Sequence, residues 1–227
     1  MKFGILLSGC GVYDGAEIQE AVLSMLAVKE AGHDYQCISV NKNQHHVVNH
    51  NTGEEMKESR NMMVEAARIA RGDVMDISLI KPDDLDALII PGGFGSAKNF
   101  SKWAFSGPAG EILPEIKLLI VNLVNIGRPI CALCVSPVLI AKSFEGSDIH
   151  PTLTLGTSVD SSPYIITDFH TGVKSTGSTY EEKSISEISI DSENKIVCAP
   201  CYMMDTNIVG IRNNIRQAVE ATIALCR

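Results

Sequence analysis

The sequence holds no apolar run long enough to cross a bilayer, no cluster of lysines and arginines, no internal repeat, and no low-complexity tract or linker. The first absence excludes a transmembrane helix, which needs about 20 predominantly apolar residues in a row. The second excludes a nucleic-acid or anionic-membrane surface, because 19 Lys and Arg face 27 Asp and Glu and the formal net charge is −8. The opening MKFGILLSGCG has one Lys and only about five apolar residues before a Ser-Gly-Cys-Gly loop, too short for the apolar region of a signal peptide, so export is not expected. Nor do the cysteines form a disulfide framework. Seven is an odd number, and they are spread from Cys10 to Cys226 in a chain too large to need staples, which points to reduced thiols in the cytoplasm. At 227 residues and 45% hydrophobic, the chain can bury a full core, and one globular domain over 1–227 is expected.

What is present is an alternation. Lys2 to Ser8 is a short apolar strand, followed by the Gly-rich GCGVYDG and by AEIQEAVLSMLAVKEAG, helical in composition and ended by Gly32. Tyr35 to Val40 reads as a second strand and Met56 to Arg71 as a second helix; Asp76 to Ile80 and Asp86 to Ile90 are further apolar runs. Pro108 to Ile126 is mostly helical, Pro129 to Leu133 is a strand, and Pro137 starts another helix. Thr152 to Gly156, Ile188 to Ile190 and Ile196 to Val197 are β-like, Asn207 to Cys226 is a closing helix, and the Ser/Thr-rich Gly156 to Ser186 reads as a polar surface excursion. Strands alternating with helices imply right-handed crossovers and a mostly parallel central sheet covered on both faces, an α/β class fold.

Ligands of such sheets bind beyond the carboxyl ends of the strands. Three loops of unusual composition fall there: Ser8 to Gly11, Pro91 to Gly95, and Cys134 after PICAL. Glycines let a backbone approach another group and present N–H groups to an oxyanion or phosphate, although they also simply turn a chain. Around Cys134 small residues sit two before (Ala132) and two after (Ser136), an echo of the G-x-S-x-G nucleophile elbow. Ser136 is placed to cap the next helix and Pro137 suits its first turn, so the thiol is expected at a helix N-terminus, where its pKa falls. Cys131 lies within the strand as a core thiol.

A thiolate needs a proton partner. Glu17 and Glu20, three apart, share a face at the start of the first helix, above the end of the first strand. Glu17 suits a helix start on dipole grounds, whereas Glu20 is deeper, where burial raises a carboxyl pKa into the proton-shuttling range. Cys10, in the first loop, is expected near Cys134. Cys198 and Cys201 have C-x-x-C spacing but no second ligand pair, and His45, His46 and His50 sit in a polar loop of turn chemistry, so no metal site is expected.

Five blocks then carry a resemblance: SGCGVYDGAEIQEAV (8–22), NHNTGEEMKESRN (49–61) with EAARIARG (65–72), LDALIIPGGFGSAKNF (85–100), GRPICALCVSP (127–137) and ENKIVCAPCYM (193–203). In order and over most of the chain, they resemble the ThiJ/PfpI superfamily, class I glutamine amidotransferase-like, and within it the ElbB-like group of isoprenoid biosynthesis proteins with an amidotransferase-like domain. The resemblance implies a flavodoxin-like three-layer sandwich with Cys134 on the elbow as nucleophile. It also implies Glu20 hydrogen-bonded to that cysteine and the backbone N–H groups of Gly93 and Val135 as oxyanion donors, with Cys10, Gly11, Glu17, Gly92 and Phe94 around the pocket. The implied activity is glyoxalase type, turning glyoxal or a similar small aldehyde into glycolate without metal or organic cofactor; a homodimer is expected by analogy. The alternative is a cysteine-based redox sensor or regulatory protein linked to isoprenoid biosynthesis.

The chain also departs from the superfamily. Val135 stands where proteases of the superfamily have His, and there is no downstream His-x-Glu pair of the kind class I amidotransferases need, so protease and glutaminase chemistry are not expected. Thr176 to Tyr180 replaces a later histidine of ElbB-like chains, leaving open whether His150 or His170 completes a triad.

Overall fold

A computed structural model describes residues 1–226. The chain runs β1 (Lys2–Leu6), α1 (Ile18–Glu30), β2 (Asp34–Ser39), α2 (Met62–Ile69), β3 (Val74–Asp76), β4 (Ala87–Ile90), α3 (Phe94–Lys98), α4 (Trp103–Ser106), α5 (Pro114–Asn125), β5 (Ile130–Leu133) and α6 (Pro137–Phe144). It continues with β6 (Thr152–Leu153), α7 (Ile166–Ser175), β7 (Thr179–Tyr180), β8 (Ser189–Asp191), β9 (Ile196–Ala199) and α8 (Ile208–Leu225). Seven strands form one sheet in the order β3-β2-β1-β4-β5-β9-β8, parallel except for β8, which runs antiparallel to β9.

Every residue of β4, β5 and β9 is buried, as expected of apolar runs covered on both faces. The right-handed crossover from β1 through α1 steps to one side of the sheet, whereas that from β4 through α5 steps to the other, so their helices cover opposite faces. Accordingly α1 packs with α8, and α5 with α6. This is the flavodoxin-like α/β sandwich, and the change of direction between β1 and β4 opens a crevice at their carboxyl ends.

Several segments differ from the sequence-based expectation. The second helix begins at Met62 rather than Met56, because the Asn61 side chain accepts the N–H groups of Met63 and Val64 as its cap. The run from Asp76 to Ile80 is mostly a 3₁₀ turn, since Asp76 accepts the Ser78 N–H and stops the strand there. Of Pro108 to Ile126 only Pro114 onward is α-helix; the part before it is a 3₁₀ turn and a bridge from Ile112 to Ser101. The Thr152 strand leaves the main sheet and pairs with β7. Between them the polar excursion is ordered structure carrying α7, whose Ile166, Gly172 and Val173 are buried.

Candidate active site

Cys134 follows the last residue of β5 with φ of +57°, a left-handed conformation that side chains seldom adopt. The turn is held from both sides: the Cys134 N–H donates to the Ala199 carbonyl at 2.9 Å, and the Ser136 hydroxyl donates to the Pro91 carbonyl at 2.7 Å. Ser136 therefore does not cap α6 as its position predicts. It joins the elbow to the Pro91 loop instead, with Ser96 completing the link at 2.9 Å.

Glu20 is fully buried in the first turn of α1. One carboxyl oxygen accepts the Gly92 N–H at 2.8 Å, the other accepts the Tyr202 N–H at 3.3 Å, and the carboxyl lies beside the Cys134 thiol. The crowding explains Gly92, because a Cβ built there lies 2.3 Å from Cys134 Cβ and 2.7 Å from Glu20 Oε2. Gly93 has φ of +97°, which turns its N–H, like that of Val135, onto the Cys134 sulfur. Glu17 is the cap of α1, its carboxylate accepting the Glu20 N–H at 2.7 Å.

The electrostatics reverse one expectation. Burial, reinforced by the Glu20 carboxylate, pushes the Cys134 thiol well above the ordinary range, and the two N–H groups only offset this. The helix N-terminus does not make a resting thiolate. Burial likewise raises Glu20, with Glu17 adding to it, to about 8. At neutral pH the pair thus holds its protons, and the first one lost leaves a single negative charge between carboxyl and sulfur.

No family model matches the chain. The human glutamine amidotransferase-like class 1 domain-containing protein 3, mitochondrial, is 34% identical over 228 residues, spanning 99% of this chain and 83% of that protein. The crystal structure of an isoprenoid biosynthesis protein with amidotransferase-like domain from Ehrlichia chaffeensis is 33% identical, covers both chains fully and superposes with a TM-score of 0.89. The chain belongs to the glutamine amidotransferase-like class 1 domain family, and a ThiJ/PfpI domain protein from Brachyspira murdochii, 11% identical with a TM-score of 0.54 over 98% of this chain and 95% of that one, shares the fold. Glyoxalase III from Candida albicans, 16% identical with a TM-score of 0.60 over 98% of this chain and 97% of that one, shares the fold. The human relative's name assigns that protein to mitochondria, so a cytoplasmic setting is not general to this family. No helix among the described residues is long and apolar enough to cross a membrane.

Within this fold, the remaining predicted residues divide. Phe94 and Val135 line the space over the thiol, together with Val12, Tyr164, Phe169, Tyr202 and Met203. Cys10 and Gly11 do not. Cys10 is half-buried outside the residues that line this space, its thiol raised by burial and then by the Glu65 carboxylate, and a Cβ at Gly11 would strike His50. No histidine lines the space over Cys134. His150 bonds the Gly177 carbonyl at 3.0 Å, and His170 stacks on Tyr180, 3.8 Å between ring centroids, with Glu182 at 3.6 Å. No group of three or more His, Cys, Asp or Glu that could hold a metal occurs among the described residues.

Sequence reasoning missed Tyr202, whose N–H holds Glu20, and weighed Cys201 only as half of a C-x-x-C pair rather than as a thiol buried against the elbow with φ of +47°. Both follow β9, which pairs with β5, so applying the strand-end rule to IVCAPCY would have found them. Tyr164 and Phe169 come from the polar excursion, where no local pattern marks them.

Proposed function

We propose that the protein is a cofactor-independent glyoxalase-type enzyme that converts glyoxal, or a similar small reactive aldehyde, to the hydroxy acid, glycolate in the case of glyoxal. The observation supporting this reading is the buried Glu20 carboxyl packed beside the Cys134 sulfur, each 2.7 Å from the point a Cβ would occupy at Gly92, with the Gly93 and Val135 N–H groups next to the sulfur. From the singly ionised pair, sulfur attacks the aldehyde carbon, forming a C–S bond as the carbonyl π bond opens onto oxygen, while the thiol proton passes through the Glu20 carboxylate to that oxygen and leaves Glu20 ionised again; Gly93 and Val135 stabilise the oxyanion on the way. Glu20 as carboxylate then removes the hydrogen of that carbon as a proton, and the neighbouring carbonyl oxygen gains one, giving an enediol. Return of a proton to the neighbouring carbon, with loss of one from the first carbon's hydroxyl, leaves a thioester. One carbon is oxidised as its neighbour is reduced, so the electrons stay within the substrate. Water then cleaves the C–S bond, releasing glycolate and restoring the thiol.

A redox sensor would need a resting thiolate, because the thiolate is the form that peroxide oxidises. Burial and the Glu20 carboxylate raise the Cys134 thiol, which counts against a peroxide sensor. A link to isoprenoid biosynthesis belongs to the name of the Ehrlichia protein and adds no step here. The test is incubation of purified protein with glyoxal and assay of glycolate. Wild type is expected to form it and Cys134→Ala not to; equal rates overturn the reading.

A further inference from the structure

The space directly over the Cys134 sulfur is about 20 Å³, and roughly 10–15 Å³ suffices for one water. A reacting aldehyde group can approach there, but little else. Against this space lies a second cavity of about 430 Å³, and the two share Phe94, Val135, Tyr164 and Phe169. For scale, an apolar cavity of about 150 Å³ binds benzene. Glyoxal, with four heavy atoms, would leave most of the larger cavity empty.

The walls of that cavity are mainly apolar or aromatic. Trp103 is buried along it, and Phe94 and Tyr164 meet edge to face with centroids 5.9 Å apart. Among the described residues, no Lys, Arg or His lines it, and the exposed Asp168 is the only charged residue of its wall. The nearby ammonium groups are engaged elsewhere: Lys98 donates to the Tyr13 carbonyl at 2.9 Å, and Lys142 to the Pro108 carbonyl and Glu145 at 2.5 Å each. An anionic substituent would therefore lose its water without gaining a cation, whereas a neutral apolar one gains burial.

We propose that this cavity is the subsite for the substituent of the substrate, and that the preferred substrates are 2-oxoaldehydes carrying a neutral apolar group, alkyl or aryl, of about benzene size or larger. The proposal rests on the glyoxalase-type reading of Cys134 and names its substrate class. The chemistry is unchanged: the aldehyde carbon becomes the carboxylate, the ketone carbon becomes the carbinol, and one water is consumed, so phenylglyoxal would yield mandelate.

Two readouts test it. In the first, kcat/KM for phenylglyoxal is expected to exceed that for glyoxal by about tenfold or more, as burial of several apolar carbons in a fitted pocket allows. Ala104→Phe, at an exposed residue on the cavity wall, should cancel that advantage, bringing the ratio of kcat/KM for phenylglyoxal to that for glyoxal close to one. Equal kcat/KM for the two aldehydes in wild type overturns the proposal while the glyoxalase reading stands. If neither aldehyde is consumed, the glyoxalase reading falls, and the second readout decides the subsite. Trp103 is the chain's single tryptophan, so its fluorescence reports the cavity directly. Saturable change with benzyl alcohol, absent with benzoate and lost in Ala104→Phe, supports a neutral apolar subsite. No change with benzyl alcohol, or an equal response to benzoate, overturns it.

Discussion

The ends of β5 and β9 carry two cysteines in nearly the same circumstance. Both follow neighbouring parallel strands, both adopt left-handed backbone (φ +57° at Cys134 and +47° at Cys201), and burial raises both thiols well above the ordinary range. Their neighbours differ. Cys134 borders a cavity and meets a carboxyl and two N–H donors, whereas Cys201 is wholly enclosed, its own N–H held by Asn214 Oδ1 at 3.0 Å and its sulfur against the Cys134 backbone. Strand-end position, backbone strain and burial are therefore common to both thiols; a neighbouring carboxyl and an open face set apart Cys134, the proposed nucleophile.

The contrast breaks most visibly by substitution at the two sulfurs. Cys134→Ala is expected to lower the initial rate of hydroxy-acid formation by roughly 10³-fold or more, while Cys201→Ala keeps it within about threefold. Comparable losses in the two variants would erase the distinction drawn between them.

Next is the carboxyl. Glu20→Gln should cost about 10²- to 10⁴-fold in kcat/KM, the usual range for a positioned acid or base. Wild-type kcat/KM should rise as pH passes through about 8, where Glu20 titrates, and Glu20→Gln should lose that limb. The same group makes a stability prediction of fixed sign. Its folded pKa, about 8, lies above the ordinary 4.5, so the folded state holds the proton more tightly than the unfolded one. Stability from this group is complete below about pH 4.5 and falls as pH rises through 8, by on the order of 5 kcal/mol. Urea denaturation at pH 5 and pH 8.5 should show a smaller difference in Glu20→Gln than in wild type; an unchanged difference would mean that Glu20 is ionised at rest.

How much of this was legible from residues alone follows the range of the forces involved. Gly-rich loops and a small-residue elbow after apolar strands are local signals, and they led to Cys134, whereas Gly93 and Val135 as donors came with the family resemblance. Glu20 was reached through helix periodicity and the family resemblance together. The direction of the Cys134 shift was not legible, because it depends on burial and on a carboxyl supplied from more than a hundred residues away. Ser136 has the right type and place for a cap, yet the Pro91 carbonyl, brought close only by the β4 and β5 pairing, takes its hydroxyl. Tyr164 and Phe169 went unread because Ser and Thr around them mimic a solvated loop, while their partners lie on α3 and the elbow.

Two smaller effects sharpen the comparison further. Gly92→Ala forces a methyl group between Cys134 and Glu20 and should cost about 1–3 kcal/mol in urea denaturation, with kcat/KM falling by about tenfold or more. Cys201→Ala removes only a packed sulfur, and about 1 kcal/mol is expected. A larger loss there would assign Cys201 a part in holding the elbow.

The short path through Ser136 and Pro91 has one more implication. The Ser136 hydroxyl grips the Pro91 carbonyl at 2.7 Å, one residue beyond Val135 and two before Gly93, so the backbone N–H groups of those two residues, the proposed oxyanion donors, are clamped into a single gauge whose spacing is set within the sheet. Tyr164 and Phe169, which roof the thiol, belong to a different part of the chain and share no bond with that clamp. Remodelling the roof should alter which molecules gain admission while the calibration of the reacting centre stays fixed.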